Sequence, residues 1–196
     1  MLVAQTYVDG CEQDFYQTRR FAAAKASPVI ELIRPTADMR VEFLTMAKEY
    51  QCLHDDRYTD AIANFAAYIR RLENWSKGRD LPEGFVPSDT FWLVQDGARI
   101  LGCSRLRHSL TPWLENEGGH IGYDIRPLER HKGYGTLMLE LTLKKARQVG
   151  LDRALVICDK DNIASAKIIE ENGGRFENEV LSTRDTRILS RYWIDL

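Results

Sequence analysis

One segment of the chain has the pattern of a strand–helix–strand crossover, and it constrains the fold more than any other feature. Residues 120–126 alternate between apolar and polar side chains, 133–149 have the character of an amphipathic helix, and 154–158 are a continuous apolar run typical of a buried strand. Two parallel neighbours need a connection of about a dozen residues or more. Because only this segment provides one, the remaining strands are expected to pair antiparallel.

The other elements have local signals of their own. Residues 29–34 alternate like a strand that Pro35 stops, and 37–50 form a helix that Thr36 can cap. Asp96-Gly97 joins the apolar runs 91–95 and 100–107, as in a hairpin. Further strands are predicted near 176–181 and 188–194. A second helix is predicted by apolar residues that recur every three or four positions: Tyr58, Ile62, Phe65, Ile69 and Leu72.

Together these elements predict an α+β fold. Its central sheet is mostly antiparallel, has about six to seven strands with one parallel pair, and is flanked by about four helices. A length of 196 residues favours one domain, which is expected to span residues 28–196. Residues 1–27 have weak periodicity and are interpreted as an N-terminal extension whose order the pattern leaves open.

Composition excludes several classes of protein. The formal net charge of −2 gives no overall attraction to nucleic acid or to a membrane surface. No apolar run approaches the roughly 18 residues of a membrane span, and no signal peptide is evident. The four cysteines are widely separated and the histidines lack metal-ligand spacing, so neither disulfides nor a metal site is expected. A cytoplasmic location with reduced cysteines is the simplest interpretation.

The stretch 126–136 has the character of an anion site. It joins a strand to the start of a helix, where backbone amides without an internal acceptor attract negative charge. Gly133 and Gly135 remove side chains there, and the surrounding basic residues are Arg126, Arg130, His131 and Lys132. A diphosphate fits this arrangement, although a surface turn with a basic rim would have a similar pattern.

Two nucleotide-binding motifs fit this stretch poorly. A dinucleotide fingerprint needs a third glycine where Met138 stands, and a P-loop needs a Gly-Lys-Ser/Thr sequence that is absent. By contrast, Arg130-x-x-Gly133-x-Gly135 resembles the R/Q-x-x-G-x-G/A motif of the GNAT superfamily of acetyl-CoA-dependent N-acetyltransferases. Residues 162–165 and 170–174 resemble a second motif of that family. The resemblance spans residues 28–194 and is greatest to bacterial members with a Gly-Gly-His-Ile-Gly-Tyr strand.

The resemblance implies where acetyl-CoA, the expected co-substrate, would bind. The pantetheine arm would lie between the strands 120–126 and 154–158, against the backbone of Ile125. Asn162 and Ser165 are implied as further pantetheine contacts, although Asn162 is equally suited to cap a helix. The pyrophosphate would meet Arg130 and the loop that follows it: His131, Lys132, Gly133, Tyr134, Gly135 and Thr136.

The resemblance also implies a reaction. A primary amine, on a small molecule or a peptide, attacks the acetyl thioester directly in a ternary complex. Glu117 and His120 are the candidate bases, with Asp124 further along the strand, and the amide of Ile125 can polarise the thioester carbonyl. Ile169 stands where many members carry a tyrosine that protonates the departing thiolate. Tyr134, Tyr123 and water remain as alternatives for that acid.

Other functions stay open at this point. A non-catalytic acyl-CoA-binding regulatory domain is the main alternative, because the acid and the base are not identified. A dinucleotide-dependent oxidoreductase is a more distant one. Neither the amine nor the oligomeric state follows from the sequence, and a homodimer is one option.

Overall fold

The structure, a computed structural model, describes residues 27–196, so the predicted extension 1–27 lies outside the described residues except for Ser27. One seven-stranded sheet with the order β1-β2-β3-β4-β5-β7-β6 runs through this part of the chain. Its strands are β1 (Ile30–Ile33), β2 (Ser88–Gln95), β3 (Arg99–Arg107), β4 (Ile121–Ile125), β5 (Arg153–Asp159), β6 (Arg175–Leu181) and β7 (Ile188–Asp195).

The pairing confirms the prediction from the crossover. Strands β4 and β5 are parallel and joined by a helix, whereas the other five neighbouring pairs are antiparallel. The predicted hairpin joins β2 to β3, and both Asp96 and Gly97 have positive φ angles, of 52° and 65°. This backbone matches the right-handed twist of paired strands, which explains why an Asp-Gly pair stands there.

The helices are α1 (Arg40–Cys52), α2 (Thr59–Ala63), α3 (Phe65–Ser76), α4 (Tyr134–Gln148) and α5 (Ile163–Glu171). The single helix predicted from the stripe beginning at Tyr58 is wrong, because Asn64 interrupts it with an extended backbone. The Asn64 side chain accepts a hydrogen bond from the Ala67 amide and so begins α3. Within residues 27–196, no helix is long and apolar enough to cross a membrane.

Helices cover the two faces of the sheet. Helices α1 to α3 pack on one face around Phe43 and Trp92, whose rings stack 4.8 Å apart between centroids. Helices α4 and α5 pack on the other face, where Leu139 and Ile169 are fully buried. Alternate residues of the central strands therefore contact different helix layers, as the pleat requires.

Candidate active site

The central feature is a cleft where β4 and β5 separate. The two strands pair at a single position, Ile121 with Val156, and then diverge. A cavity of about 300 Å³ opens between them, and its lining includes Tyr123 from β4 and Ile157 from β5. A sheet that splits between parallel strands exposes backbone groups that a neighbouring strand would otherwise pair.

The register of β4 shows which backbone groups face this cleft. The Arg126 amide donates to the Leu101 carbonyl, so residues 101 and 126 form a hydrogen-bonded pair with β3. Hydrogen-bonded and non-bonded pairs alternate in an antiparallel ladder, and Ile125 and Tyr123 therefore turn their backbone groups away from β3. Because β5 has already diverged, the amide of Ile125 points into the cleft.

The loop before α4 has the geometry of an anion site. Gly133 begins the helix with a φ of 80°, a left-handed conformation that favours glycine, and no atom lies within 4 Å of the position its Cβ would take. His131 also has a positive φ, of 61°, and both residues are exposed. The first amides of α4 lack intrahelical acceptors and are oriented toward this open loop.

Gly135 has a packing role instead. It is buried, and a Cβ at this position would lie 2.5 Å from the Cδ1 atom of Ile168 on α5. The second glycine of the motif therefore lets α4 and α5 approach each other. The side chains of the two neighbouring residues form hydrogen bonds within the protein: the Tyr134 hydroxyl donates to Gln95, and the Thr136 hydroxyl donates to Glu171.

The basic cluster expected around this loop is largely neutralised. Arg126 is 2% exposed and bonds to Glu42 and Glu49 of α1, so its inclusion in the anion site was wrong. Lys132 Nζ lies 2.8 Å from a carboxylate oxygen of Glu129.

Arg130 and His131 are the exposed basic residues left at the loop. The Arg130 guanidinium lies 5.7 Å from the centroid of the Tyr50 ring and bonds to the Ile125 carbonyl. Backbone amides would therefore provide most of the attraction for an anion at this loop.

Asn162 and Ser165 both line the cleft. The Asn162 side chain caps α5 by accepting a hydrogen bond from the Ser165 amide at 3.0 Å, which is the capping role considered from the sequence. The Ser165 hydroxyl lies 2.9 Å from the Tyr123 hydroxyl. Burial raises the pKa of Tyr123 to about 12, so this hydroxyl keeps its proton at neutral pH.

His120 lacks a free nitrogen that could take a proton. Its Nδ1 atom accepts a hydrogen bond of 2.9 Å from the Leu155 amide, which requires the proton of the neutral ring to be on Nε2. Burial, together with the cations of Arg107 and Arg153, lowers the pKa of His120 to about 4. The geometry therefore indicates that His120 holds β4 against β5, and it weakens the prediction of a catalytic base.

Glu117 lies at the edge of the cleft with its carboxylate already bound. It accepts hydrogen bonds from the amide and hydroxyl of Thr183 and from the hydroxyl of Ser182. The hydrogen bonds from Thr183 are the main cause of its lowered pKa. A carboxylate stabilised in this way is a weaker proton acceptor than a free one.

The sequence did not reveal a polar cluster on the opposite side of β4. Asp124 is buried and accepts hydrogen bonds from Tyr50, Tyr58 and Arg105, and Arg57 Nη1 lies 3.4 Å from it. The neighbouring arginines keep the pKa of Asp124 low despite its burial. The partners of Asp124 come from α1, the α2 region and β3, which lie far from it in the sequence. The alternation of polar residues on β3 and β4 was the only sequence signal for this cluster.

A larger cavity, of about 640 Å³, lies between α3, the loop before β2, and strands β2 and β3. Aromatic residues contribute much of its wall: Tyr58, Tyr68, Trp75, Phe85 and Trp113. Trp113 and Arg184 line both this cavity and the cleft, so the two spaces adjoin. Gly122 faces the same side of the sheet as Arg105 and has nothing within 4 Å of the position of a Cβ.

The comparison with protein families bears directly on this arrangement. The model of the acetyltransferase (GNAT) domain matches residues 30–175, well over half of the chain. The chain is a member of the GNAT superfamily. The resemblance noted in the sequence is thereby confirmed, and the alternative of a dinucleotide-dependent oxidoreductase is set aside.

Solved structures show the same fold as this GNAT domain at low sequence identity. RimL, a ribosomal L7/L12 alpha-N-protein acetyltransferase in complex with coenzyme A, is 13% identical with a TM-score of 0.66, covering 87% of this chain and 96% of RimL. The microcin C7 self-immunity acetyltransferase MccE, with acetyl-CoA and AMP, is 13% identical with a TM-score of 0.64, covering 85% and 92%.

A Salmonella typhimurium acetyltransferase that modifies the N-terminal serine of ribosomal protein L7/L12 is also 13% identical, with a TM-score of 0.63, covering 87% and 96%. A comparison with curated proteins finds no match.

Proposed function

We propose that this chain transfers an acetyl group from acetyl-CoA to an amine by direct attack in a ternary complex. The observation that carries the proposal is the cleft between β4 and β5, which pair only at Ile121 and Val156. The cavity in this cleft adjoins the larger cavity, since Trp113 and Arg184 line both, and the open loop before α4 follows the end of β4 in the chain. In this proposal, a cofactor lies along β4 with its pyrophosphate at the loop before α4, and the acceptor occupies the larger cavity.

In this proposal, the cofactor is held mainly by backbone. The amides of residues 131–136 bind the pyrophosphate, and the pantetheine lies along β4, with Asn162 and Ser165 on the opposite wall. The Ile125 amide donates to the thioester carbonyl oxygen, and it strengthens that bond as negative charge develops in the tetrahedral intermediate.

The chemistry then needs a proton acceptor and a proton donor. The amine nitrogen bonds to the carbonyl carbon and loses a proton, the carbon–sulfur bond breaks, and the thiolate of CoA gains a proton. Glu117 is the carboxylate that lines the cleft, and we propose that it accepts the amine proton through water. Tyr123, protonated and bonded to Ser165, is the proposed donor to the thiolate.

Blocking the cleft tests the proposal. A Gly122→Leu side chain would enter the open space between the two cavities, so acetyl transfer should fall at least tenfold with folding unchanged. Release of free CoA thiol from acetyl-CoA measures transfer, and circular dichroism monitors the fold. Gly122→Ala is the matched control and should retain activity. Full activity of Gly122→Leu would contradict the assignment of this path.

Two further variants separate the proposed roles. Tyr123→Phe and Glu117→Gln should each lower kcat by about 10²-fold or more while leaving acetyl-CoA affinity unchanged, because general acid–base catalysis contributes about that much. The second candidate function is a non-catalytic acyl-CoA-binding domain, which the absence of a free proton acceptor on His120 favours. Binding of acetyl-CoA without thiol release across a broad amine panel would support it.

A further inference from the structure

The larger cavity is rich in arginine. Its lining includes Arg57, Arg71, Arg105, Arg107 and Arg184, whereas the acidic side chains are Asp60 and Glu83. Three of these arginines are already paired: Arg71 with Asp60, Arg105 with Asp124, and Arg57 with Asp55 and Asp124. Among residues 27–196, Arg107 and Arg184 have no carboxylate within ion-pair distance, and the Arg184 cation is near enough to Glu117 to help lower the pKa of that carboxyl. Arg107 therefore carries the charge most available to a ligand.

Arg107 is the better placed of the two. Its Nη1 atom donates to the carbonyl oxygens of Gly118 and Gly119, at 2.8 and 3.0 Å, which fixes the guanidinium at the cavity wall. These contacts are to neutral groups and leave the charge uncompensated. Burial and the neighbouring Arg105 cation lower the pKa of Arg107 to about 10, so the folded protein disfavours this cation. An anion in the cavity would remove that cost.

Arg184 extends the positive region to the junction with the cleft. Its guanidinium lies 4.2 Å from the centroid of the Trp113 ring, and both side chains line the two cavities. A group held near this junction faces the cleft in which the proposed function places the thioester. The aromatic wall of the cavity leaves apolar surface for the rest of the molecule.

We infer that the acceptor is a small amine that also carries an anionic oxygen group, a carboxylate or a phosphate, which Arg107 binds, and that its apolar part lies on the aromatic wall. The inference rests on the proposed acetyl transfer and names the class of its acceptor. Arg107 acts as a binding residue: it holds the anion while the amine nitrogen of the same molecule attacks the thioester. A guanidinium fits both anions, because its planar donors match two oxygens at once.

Matched amines test this class directly. L-phenylalanine, L-phenylalaninamide and phenethylamine share an aromatic body, and only the first carries a carboxylate. Phosphoethanolamine and ethanolamine make the corresponding phosphate pair. A charge-assisted hydrogen bond contributes about 1.5–3 kcal/mol, so kcat/KM for an anionic member should exceed that of its neutral partner by about 10- to 100-fold. Whichever pair shows the larger ratio identifies the anion.

Variants assign the effect to Arg107. In Arg107→Met the ratio between anionic and neutral partners should fall to near one, mainly through a higher KM, whereas Arg107→Lys should retain part of it. Arg70, an exposed arginine of α3 outside the cavity lining, gives the control Arg70→Met with an unchanged ratio. If Arg107→Met fails to fold, Arg184→Met provides a second variant with an exposed side chain, and it should lower the same ratio.

Binding measurements separate the two proposals. Calorimetry with CoA-saturated protein reports amine affinity without turnover, and acetyl-CoA titration reports the cofactor site. Anion-dependent binding without thiol release would refute acetyl transfer and support the anion site. Equal or tighter binding and turnover of the neutral partners, or no binding of any anionic member to protein that binds acetyl-CoA, would overturn the inference.

Discussion

Replacing Asp124 by asparagine should destabilise the fold and leave the proposed acetyl-CoA site in place. Asparagine keeps an acceptor oxygen for Tyr58 but presents an amide donor to the Arg105 donor, and it removes the charge that balances Arg105 and Arg57. Removing one partner of a buried ion pair costs about 3–5 kcal/mol. The arginine side chains remain 35% and 36% exposed, so we expect the lower end, about 3 kcal/mol.

Urea unfolding at pH 7 measures this cost, and Asp56→Asn is the matched control on an exposed aspartate of the same region, with a change of about 0.5 kcal/mol or less. The folded-state pKa of Asp124 is lowered, so its stabilisation is complete above the pKa of a free aspartate, about 4, and is lost as the pH falls through the folded value. The difference between variant and wild type should therefore narrow in acid. A cost below about 1 kcal/mol at pH 7 would refute the reasoning.

Three further changes test single features of the structure. A neutral His120 with a pKa of about 4 makes stability fall as pH drops from about 6.5 to 4, and His120→Asn, which keeps an acceptor, should flatten this dependence in thermal melts. Gly102→Ala would place a Cβ 2.4 Å from the Asp124 carbonyl oxygen and should cost about 1–3 kcal/mol in urea unfolding, whereas Gly122→Ala should cost almost nothing. Gly133→Ala should cost about 1–2 kcal/mol because of its left-handed backbone, and calorimetry should show weaker CoA binding.

Local patterns predicted the elements that depend on neighbouring residues. The hairpin at Asp96 and the crossover helix were correct, because turn chemistry and apolar spacing act over a few residues. The apolar spacing predicted the stripe that begins at Tyr58, but it could not reveal the break in the helix at Asn64. Apolar residues on both sides keep facing the same core, so the spacing continues across a residue that leaves the helix.

The elements that frame the candidate site were predicted from the sequence, whereas the contacts between distant side chains around it were not. The strand, loop and helix that frame Gly133 were placed correctly from the sequence. The charges around them were not, because Arg126 finds its partners on α1, about eighty residues earlier in the chain, at Glu42 and Glu49. Ion pairs of this kind depend on the tertiary fold, and no local pattern predicts them.

The two faces of strand β4 contact different parts of the protein. On one face, the side chains of Ile121, Tyr123 and Ile125 pack against α4 and α5. The backbone groups of Tyr123 and Ile125 face the cleft. Asp124, on the other face, holds a cluster of arginines and tyrosines that forms one wall of the larger cavity. In the proposed reaction, this five-residue strand positions the thioester carbonyl through its backbone, and its one carboxylate holds a wall of the proposed acceptor cavity. Because Asp124 is bound by those arginines, we propose that the amine proton leaves by another route, through water at the junction of the two cavities.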